Sequence, residues 1–243
     1  MDPLQRVTPR KAALVVAVAF AILPLAVRAS DVDKLLKSLE ERRGRVKSLH
    51  TVTETAIRQQ EVMRKTRFEY WELNTADTRK TKRVGRTETP KKGKDKPQII
   101  ESVSVSDGQF LWSELAGTGG KTIIKSVATA SDDFGGLRDV MRRGKARTRP
   151  GEELLGMKTV VIEVVGSGVG GAYKATYWIG EKNGIILKSR VTNSDGSRIE
   201  MDTSVCEIDK KIPESTFAYT TPDGAKVIDT TTIGRKTGTG KSP

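Results

Sequence analysis

From Thr51 onward the chain alternates with period two in short segments punctuated by turn residues, a pattern that restricts it to an antiparallel β architecture. Thr51–Ile57 and Arg67–Leu73 predict two strands, and Ile99–Val105 and Gln109–Leu115 predict two more. Asp107-Gly108 joins the second pair as a two-residue hairpin signal, because such a turn needs a residue at ease in the left-handed region. Further strands are expected at Met157–Val165, Ala172–Ile179, Gly184–Thr192 and Ser197–Ile208, linked by Gly- and Asn-rich turns. Ser215–Asp229 holds a final strand or two, giving an expected eight to ten strands.

Helical spacing is confined to two places. Val32, Leu35, Leu36, Leu39 and Val46 predict a helix over Asp31–Leu49 with a narrow apolar stripe, suited to lying on a surface. Ser126–Lys145 predicts a second, broken helix with Phe134, Leu137, Val140 and Met141 on its apolar face and an interruption at Gly135-Gly136. Asp132-Asp133 ahead of it reads as a helix cap. Between Ala76 and Pro97 nine Lys/Arg stand against three acids, punctuated by Gly85, Pro90, Gly93 and Pro97. Residues 76–97 are therefore expected to be an inserted, solvated basic loop, with Arg79, Lys80, Lys82 and Arg83 as its partner-binding candidates.

The N-terminus carries a three-part export pattern. Arg6, Arg10 and Lys11 precede the apolar run Ala12–Val27, and Val27-Arg28-Ala29 fits a cleavage site, so cleavage is expected after Ala29. The run is about 16 residues, short of the roughly 20 that span a bilayer, and Pro24 interrupts it. The expected organisation is a signal peptide over 1–29, a single domain over 30–229 and a disordered tail over 230–243. Net charge is +13 for the whole chain. About +10 would remain on the mature part, which suits anionic headgroups or an acidic partner; export argues against nucleic acid.

Catalytic chemistry has few candidates. His50 is the only histidine and Cys206 the only cysteine, so an intramolecular disulfide and His/Cys metal clusters are excluded by count. No Ser–His–Asp or Cys–His arrangement can be complete without His50, which at a helix–strand junction reads as a hydrogen-bonding residue. Gly166-Ser-Gly-Val-Gly-Gly171 matches a dinucleotide fingerprint in letters, but a strand pattern follows where a helix is required. Gly238-Thr-Gly-Lys-Ser242 lacks the first glycine of a phosphate loop, since Arg235 stands there. No enzyme and no cofactor are expected.

The aromatic residues are more telling. Phe68 with Tyr70, Phe110 with Trp112, and Tyr173 with Tyr177 each share one face of a strand. In a closed small barrel they would fill the core; in an open, helix-covered one they would line an apolar cavity.

Three segments resemble the outer-membrane lipoprotein carriers of the LolA type: Val46-Lys-Ser-Leu-His-Thr-Val-Thr-Glu-Thr at the helix-to-strand junction, Val105-Ser-Asp-Gly-Gln-Phe-Leu-Trp112 at a hairpin, and Ser215-Thr-Phe-Ala-Tyr-Thr-Thr-Pro-Asp-Gly-Ala-Lys-Val-Ile-Asp229 at the close. Tyr177-Trp-Ile-Gly-Glu-Lys-Asn-Gly184 adds a weaker match. The resemblance implies a mostly β, α+β fold: an incomplete antiparallel half-barrel covered by an N-terminal helix and a mid-chain helical lid. It implies a periplasmic monomer that carries acyl chains of lipoproteins or lipids, with an inner-membrane ABC release complex and an outer-membrane receptor as partners. The expected cavity wall is Phe68, Tyr70, Val103, Val105, Phe110, Trp112, Val160, Ile162, Tyr173 and Tyr177. The same fold occurs in envelope sensors, the alternative role, in which the basic loop would touch an acidic partner or membrane surface. One departure stands out. The carriers have a Lys-Arg-Pro-type segment after the second strand whose Arg helps hold the lid closed; here Trp71-Glu-Leu-Asn-Thr-Ala stands there, and no equivalent Arg aligns.

Overall fold

The computed structural model describes residues 29–90, 97–117, 120–129, 133–168 and 171–232. The expected leader, Asp132, residues 91–96 of the basic loop, Val169-Gly170 and the tail beyond 232 lie outside the described residues.

Among the described residues twelve strands form one open sheet that does not close into a barrel. A first meander, β1 (Ser48–Gln59), β2 (Val62–Asn74), β3 (Arg79–Thr89), β4 (Gln98–Ser106), β5 (Phe110–Gly117) and β6 (Gly120–Val127), spreads outward from the centre. A second, β7 (Gly144–Leu154), β8 (Met157–Gly168), β9 (Gly171–Gly180), β10 (Ile186–Asn193) and β11 (Arg198–Ile208), returns to the centre, where β11 pairs antiparallel with β1. The closing strand β12 (Lys226–Asp229) lies parallel to β6 at one edge, and β7 forms the other.

Local chemistry accounts for these elements. At the β4–β5 hairpin Gly108 takes φ +97°, and Asp107 Oδ1 accepts hydrogen bonds from the backbone N–H of Gln109 and Phe110, both at 2.8 Å. The first helix, α1 (Ala29–Arg43), turns Val32, Leu36 and Leu39 onto one side, and all three are buried. A second helix, α2 (Gly135–Arg142), buries Leu137. Both helices pack on the β7–β9 side of the sheet, in a core with Phe134, Ile162, Val164, Ala175 and Ile179.

Three sequence expectations need correction. Residues 76–97 are not a loop insertion over their described part, because Arg79–Thr89 is β3, paired along its length with β2 and β4. Its basic residues alternate between the two faces of the sheet, Arg79 and Arg83 on one and Lys80 and Lys82 on the other, so the period-two pattern is hidden in a run that reads as polar throughout. The second helix covers only Gly135–Arg142; of the expected 126–145 helix, Ser126-Val127 end β6 and Gly144-Lys145 open β7. Gly135-Gly136 therefore opens that helix instead of breaking it. The first helix stops at Arg43, short of Leu49, and Val46 joins a separate cluster with Leu49, Ile185 and Leu187.

Candidate functional site

Pairing register assigns every strand residue to a face, since directly opposed residues share one. On the side that faces the helices, called the concave side below and its opposite the convex side, stand Phe68, Tyr70 and Glu72 of β2, Arg79, Thr81 and Arg83 of β3, and Val160, Ile162, Tyr173 and Tyr177 of β8 and β9. Val103 and Val105 of β4 with Phe110 and Trp112 of β5 point the other way. The expected cavity residues are thus divided between two faces. On the convex face Val105 is 2% exposed, Trp112 stacks on Tyr219 with ring centroids 5.7 Å apart, and Tyr219 donates a hydrogen bond to Glu114 at 3.2 Å. The C-terminal segment, including the 3-10 turn Glu214–Phe217 with Phe217 buried, covers this face, so these four serve the outer packing.

The four basic candidates are divided in the same way. Lys80 pairs with Glu214 at 2.7 Å and Lys82 lies over the Trp71 ring, both convex. Arg83 lies over Phe68 on the concave side, and Arg79 belongs to a buried ionic cluster.

That cluster is the centre of the site. Glu72 is fully buried, and its carboxylate accepts two hydrogen bonds from Arg43 at the end of α1, at 2.9 and 2.6 Å. It also accepts from Tyr70 at 2.7 Å, Asn74 at 2.6 Å and Arg79 at 2.5 Å. Asp133, just ahead of α2, bridges Arg43 at 2.9 Å and Arg79 at 2.9 and 3.0 Å. Among the described residues, two cations and two anions from α1, β2, β3 and the start of α2 form a charge-balanced quartet, which offsets the cost of burying charge. Burial alone would raise the pKa of Glu72, but the hydrogen bond and charge of Arg43, with Arg79 and Tyr70, hold it at about 2.

The sign of the pH effect follows. A carboxylate held below its ordinary value of 4.5 contributes stability that is complete above 4.5 and disappears as pH falls through about 2. Stability from this group is expected to be flat from neutrality to about pH 5 and to fall by on the order of 3 kcal/mol below that. Acid titrations of the unfolding free energy, compared with Glu72→Gln, check it: the variant should lack this component.

The cluster holds α2 over the sheet at its start. At its far end Tyr173 donates a hydrogen bond to the Val140 carbonyl at 2.8 Å, and Arg138 pairs with Glu40 of α1. A slot of about 160 Å³ remains beneath Phe134, bounded by Thr51, Thr53, Tyr70 and Thr203. That is below the roughly 300–1,000 Å³ of ligand pockets. A wider, open crevice of about 760 Å³ lies between α1, α2 and β7, lined by Leu36, Met141 and Ala146 with Lys37, Arg142 and Lys145.

Sequence reasoning missed Glu72, Arg43 and Asn74, and read Asp133 as a cap. A signal was present: Glu72 continues the Phe68–Tyr70 face at period two, and a carboxylate on an otherwise apolar stripe calls for buried cations. Other chemistry is sparse. His50 sits on the convex face, stacked on Trp71 and hydrogen-bonded to Glu69 at 3.0 Å and Glu207 at 2.9 Å. Burial pushes the Cys206 thiol up to about 11, away from reactivity. Among the described residues no group of three His, Cys, Asp or Glu could hold a metal ion, and no helix is long and apolar enough to cross a membrane.

No protein-family model matches the sequence, and neither does any curated protein. Among solved structures, the MucA/MucB complex of Pseudomonas aeruginosa matches with a TM-score of 0.50 at 14% identity, covering 78% of this chain and 61% of that one. The likeness is one of fold, and the chain spans less than two thirds of that relative's length. Lipoprotein LppX of Mycobacterium tuberculosis matches at TM-score 0.44 and 12% identity, over 74% of this chain and 98% of its own. A DUF1329 family protein of Desulfovibrio piger matches at TM-score 0.36 and 9% identity, over 79% and 97%.

Proposed function

We propose that this chain is an exported, periplasmic carrier or chaperone of the lipoprotein-carrier type that holds an acyl chain of a lipid or lipoprotein between its curved sheet and the α2 lid. One observation carries the reading: a helix is fastened over an open sheet by a neutral ionic latch, with aliphatic packing on one side and unfilled space beneath. Each buried methylene contributes about 0.8 kcal/mol, so even part of an acyl chain binds without polar partners. The slot is too small for a whole chain, so loading needs the lid to lift. The latch suits that step, because its charges can trade partners and take up water as the helix moves. An inner-membrane release complex and an outer-membrane receptor are the partners this role would need.

Mass spectrometry of organic extracts from the purified protein tests the reading. Acyl species at near-stoichiometric amounts are expected; a protein that stays empty after refolding with fatty acids overturns it. The lid should also be tunable. Gly136 stands in the first turn of α2, where an added Cβ meets nothing within 4 Å. Gly136→Ala should firm the helix by about 1 kcal/mol. Acyl exchange is expected to slow several-fold in stopped-flow displacement, and an unchanged rate would remove the helix start as the hinge.

A second reading is an interaction module of the same fold. It is favoured by a convex groove of about 640 Å³ lined by Glu54, Glu200 and Asp202 against Lys65, Arg67 and Arg86, a surface fitted to a charged partner. Charge reversal at Arg67 and Arg86 separates the two, since acyl binding on the opposite face should not respond.

A further inference from the structure

The concave wall is amphipathic beyond what an acyl chain requires. Below the helices it is aliphatic, through Val160, Ile162 and Val164; across β1–β5 it carries hydroxyls, through Thr53, Thr55, Thr66, Ser102, Ser104 and Ser113. Charge is sorted as sharply. On β1–β6 and β11 the register places one carboxylate on the concave side, Glu72, while the others, Glu54, Glu101 and Glu200 among them, face outward. Glu72 is already engaged by Arg43 and Arg79.

Arg83 stands in this wall with no such counter-charge. Its guanidinium lies 3.7 Å above the Phe68 ring, and the ring is seated on Gly85, where a Cβ would come within 2.8 Å of it. The residue is exposed, and among the described residues no carboxylate pairs with it. Stacking on an aromatic face fixes the plane of a guanidinium while leaving its N–H edge available. Across the strands Arg83 is flanked by Ser104 and by Tyr70, and Tyr70 borders the slot beneath Phe134.

We propose that Arg83 is the headgroup receptor of this wall, and that the ligand is a single-headed acyl amphiphile with an oxyanion, carboxylate or phosphate, paired to Arg83 while its tail runs beneath α2. The proposal rests on the acyl-binding reading and deepens it. An isolated planar cation beside hydroxyls selects an oxyanion by paired, charge-assisted hydrogen bonds. The aliphatic half of the same wall takes the tail, so head and tail are read by adjoining parts of one surface.

Calorimetric titration of the full chain with palmitate, palmitoyl lysophosphatidic acid, neutral monopalmitoylglycerol and inorganic phosphate is the test. The two anionic lipids should bind at least about tenfold more tightly than the neutral one. Arg83→Gln should abolish that preference and leave monopalmitoylglycerol unchanged, while Arg83→Lys should keep part of it. Equal binding of anionic and neutral lipids by the wild type, or an intact preference in Arg83→Gln, overturns the assignment and leaves the acyl reading standing. Failure of all three lipids to bind overturns the acyl reading itself. Inorganic phosphate binding as tightly as the lysophospholipid overturns the amphiphile, since the tail would then contribute nothing. Arg83 is exposed, so thermal melts of both variants should stay within about 4 °C of the wild type, the loss of the Phe68 stacking included.

Discussion

Glu72→Gln is expected to lower the thermal midpoint by roughly 10 °C, because removing one member of a buried ionic cluster costs about 3–5 kcal/mol and a domain of this size shifts about 2–4 °C per kcal/mol. Gln preserves the shape, but Tyr70 and Asn74 donate to different oxygens of Glu72, so its single amide oxygen can accept from one of them only. What it cannot do is balance Arg43 and Arg79 as the carboxylate does, although both cations also pair with Asp133. Arg43 is 8% exposed, so water cannot replace the lost charge. The damage should be local first: amide exchange of α2 and of the last turn of α1 should accelerate before global unfolding. A paired replacement, Arg43→Met with Glu72→Met, should be milder than Glu72→Gln alone, since it removes a cation and an anion together and leaves Arg79 matched to Asp133. A Glu72→Gln protein melting within about 2 °C of the wild type would mean that the cluster contributes little to holding the lid.

The second large effect is expected at Gly184. It takes φ +66°, and an added Cβ would stand 2.1 Å from the Leu39 carbonyl oxygen and 3.0 Å from the Arg43 Cβ. The obstruction is backbone, so no rotamer relieves it. Gly184→Ala combines left-handed strain with a collision that must push α1 off the sheet, for a loss of about 3 kcal/mol or more. Because Leu39 and Arg43 sit on the displaced turn, the variant should also weaken the Glu72 cluster and raise amide exchange along α1. Gly196 is the internal control: its φ is +82°, but nothing lies within 4 Å of an added Cβ. Gly196→Ala should cost only the conformational part, about 1 kcal/mol. If both substitutions cost the same, the close seating of α1 on the β9–β10 turn is not what makes Gly184 necessary.

Much of the fold was legible in the residues. The strands at Thr51–Ile57, Arg67–Leu73, Ile99–Val105, Met157–Val165 and Ala172–Ile179 lie inside β1, β2, β4, β8 and β9, because β-branched alternation between turn residues leaves one economical conformation. The Asp107-Gly108 hairpin was readable for the same reason. The strand Arg79–Thr89 was not. Its period-two signal is carried by Arg79, Thr81 and Arg83 on one side and by Lys80 and Lys82 on the other, and both look polar in a linear reading. The expected helix over 126–145 overlaps the last two residues of β6 and the first two of β7, since Val127 extends the apolar spacing of Phe134, Leu137 and Val140 although it ends a strand.

The site was legible only in halves. Phe68 and Tyr70 were correctly paired on one strand face, as were Phe110 and Trp112, but alternation within a strand says nothing about which face meets the helices. That assignment depends on register between strands, and register placed the β4 and β5 aromatics under the C-terminal segment instead of under the lid.

The sequence by itself determined an antiparallel sheet with a surface-lying N-terminal helix, because period, turn chemistry and apolar spacing act over a few neighbouring residues. Tertiary structure alone decided where Arg43, Glu72, Arg79 and Asp133 meet and which side of the sheet became the concave wall. Those groups are up to 90 residues apart in the chain, and a buried charge chooses its partner by three-dimensional proximity, which local preference does not encode.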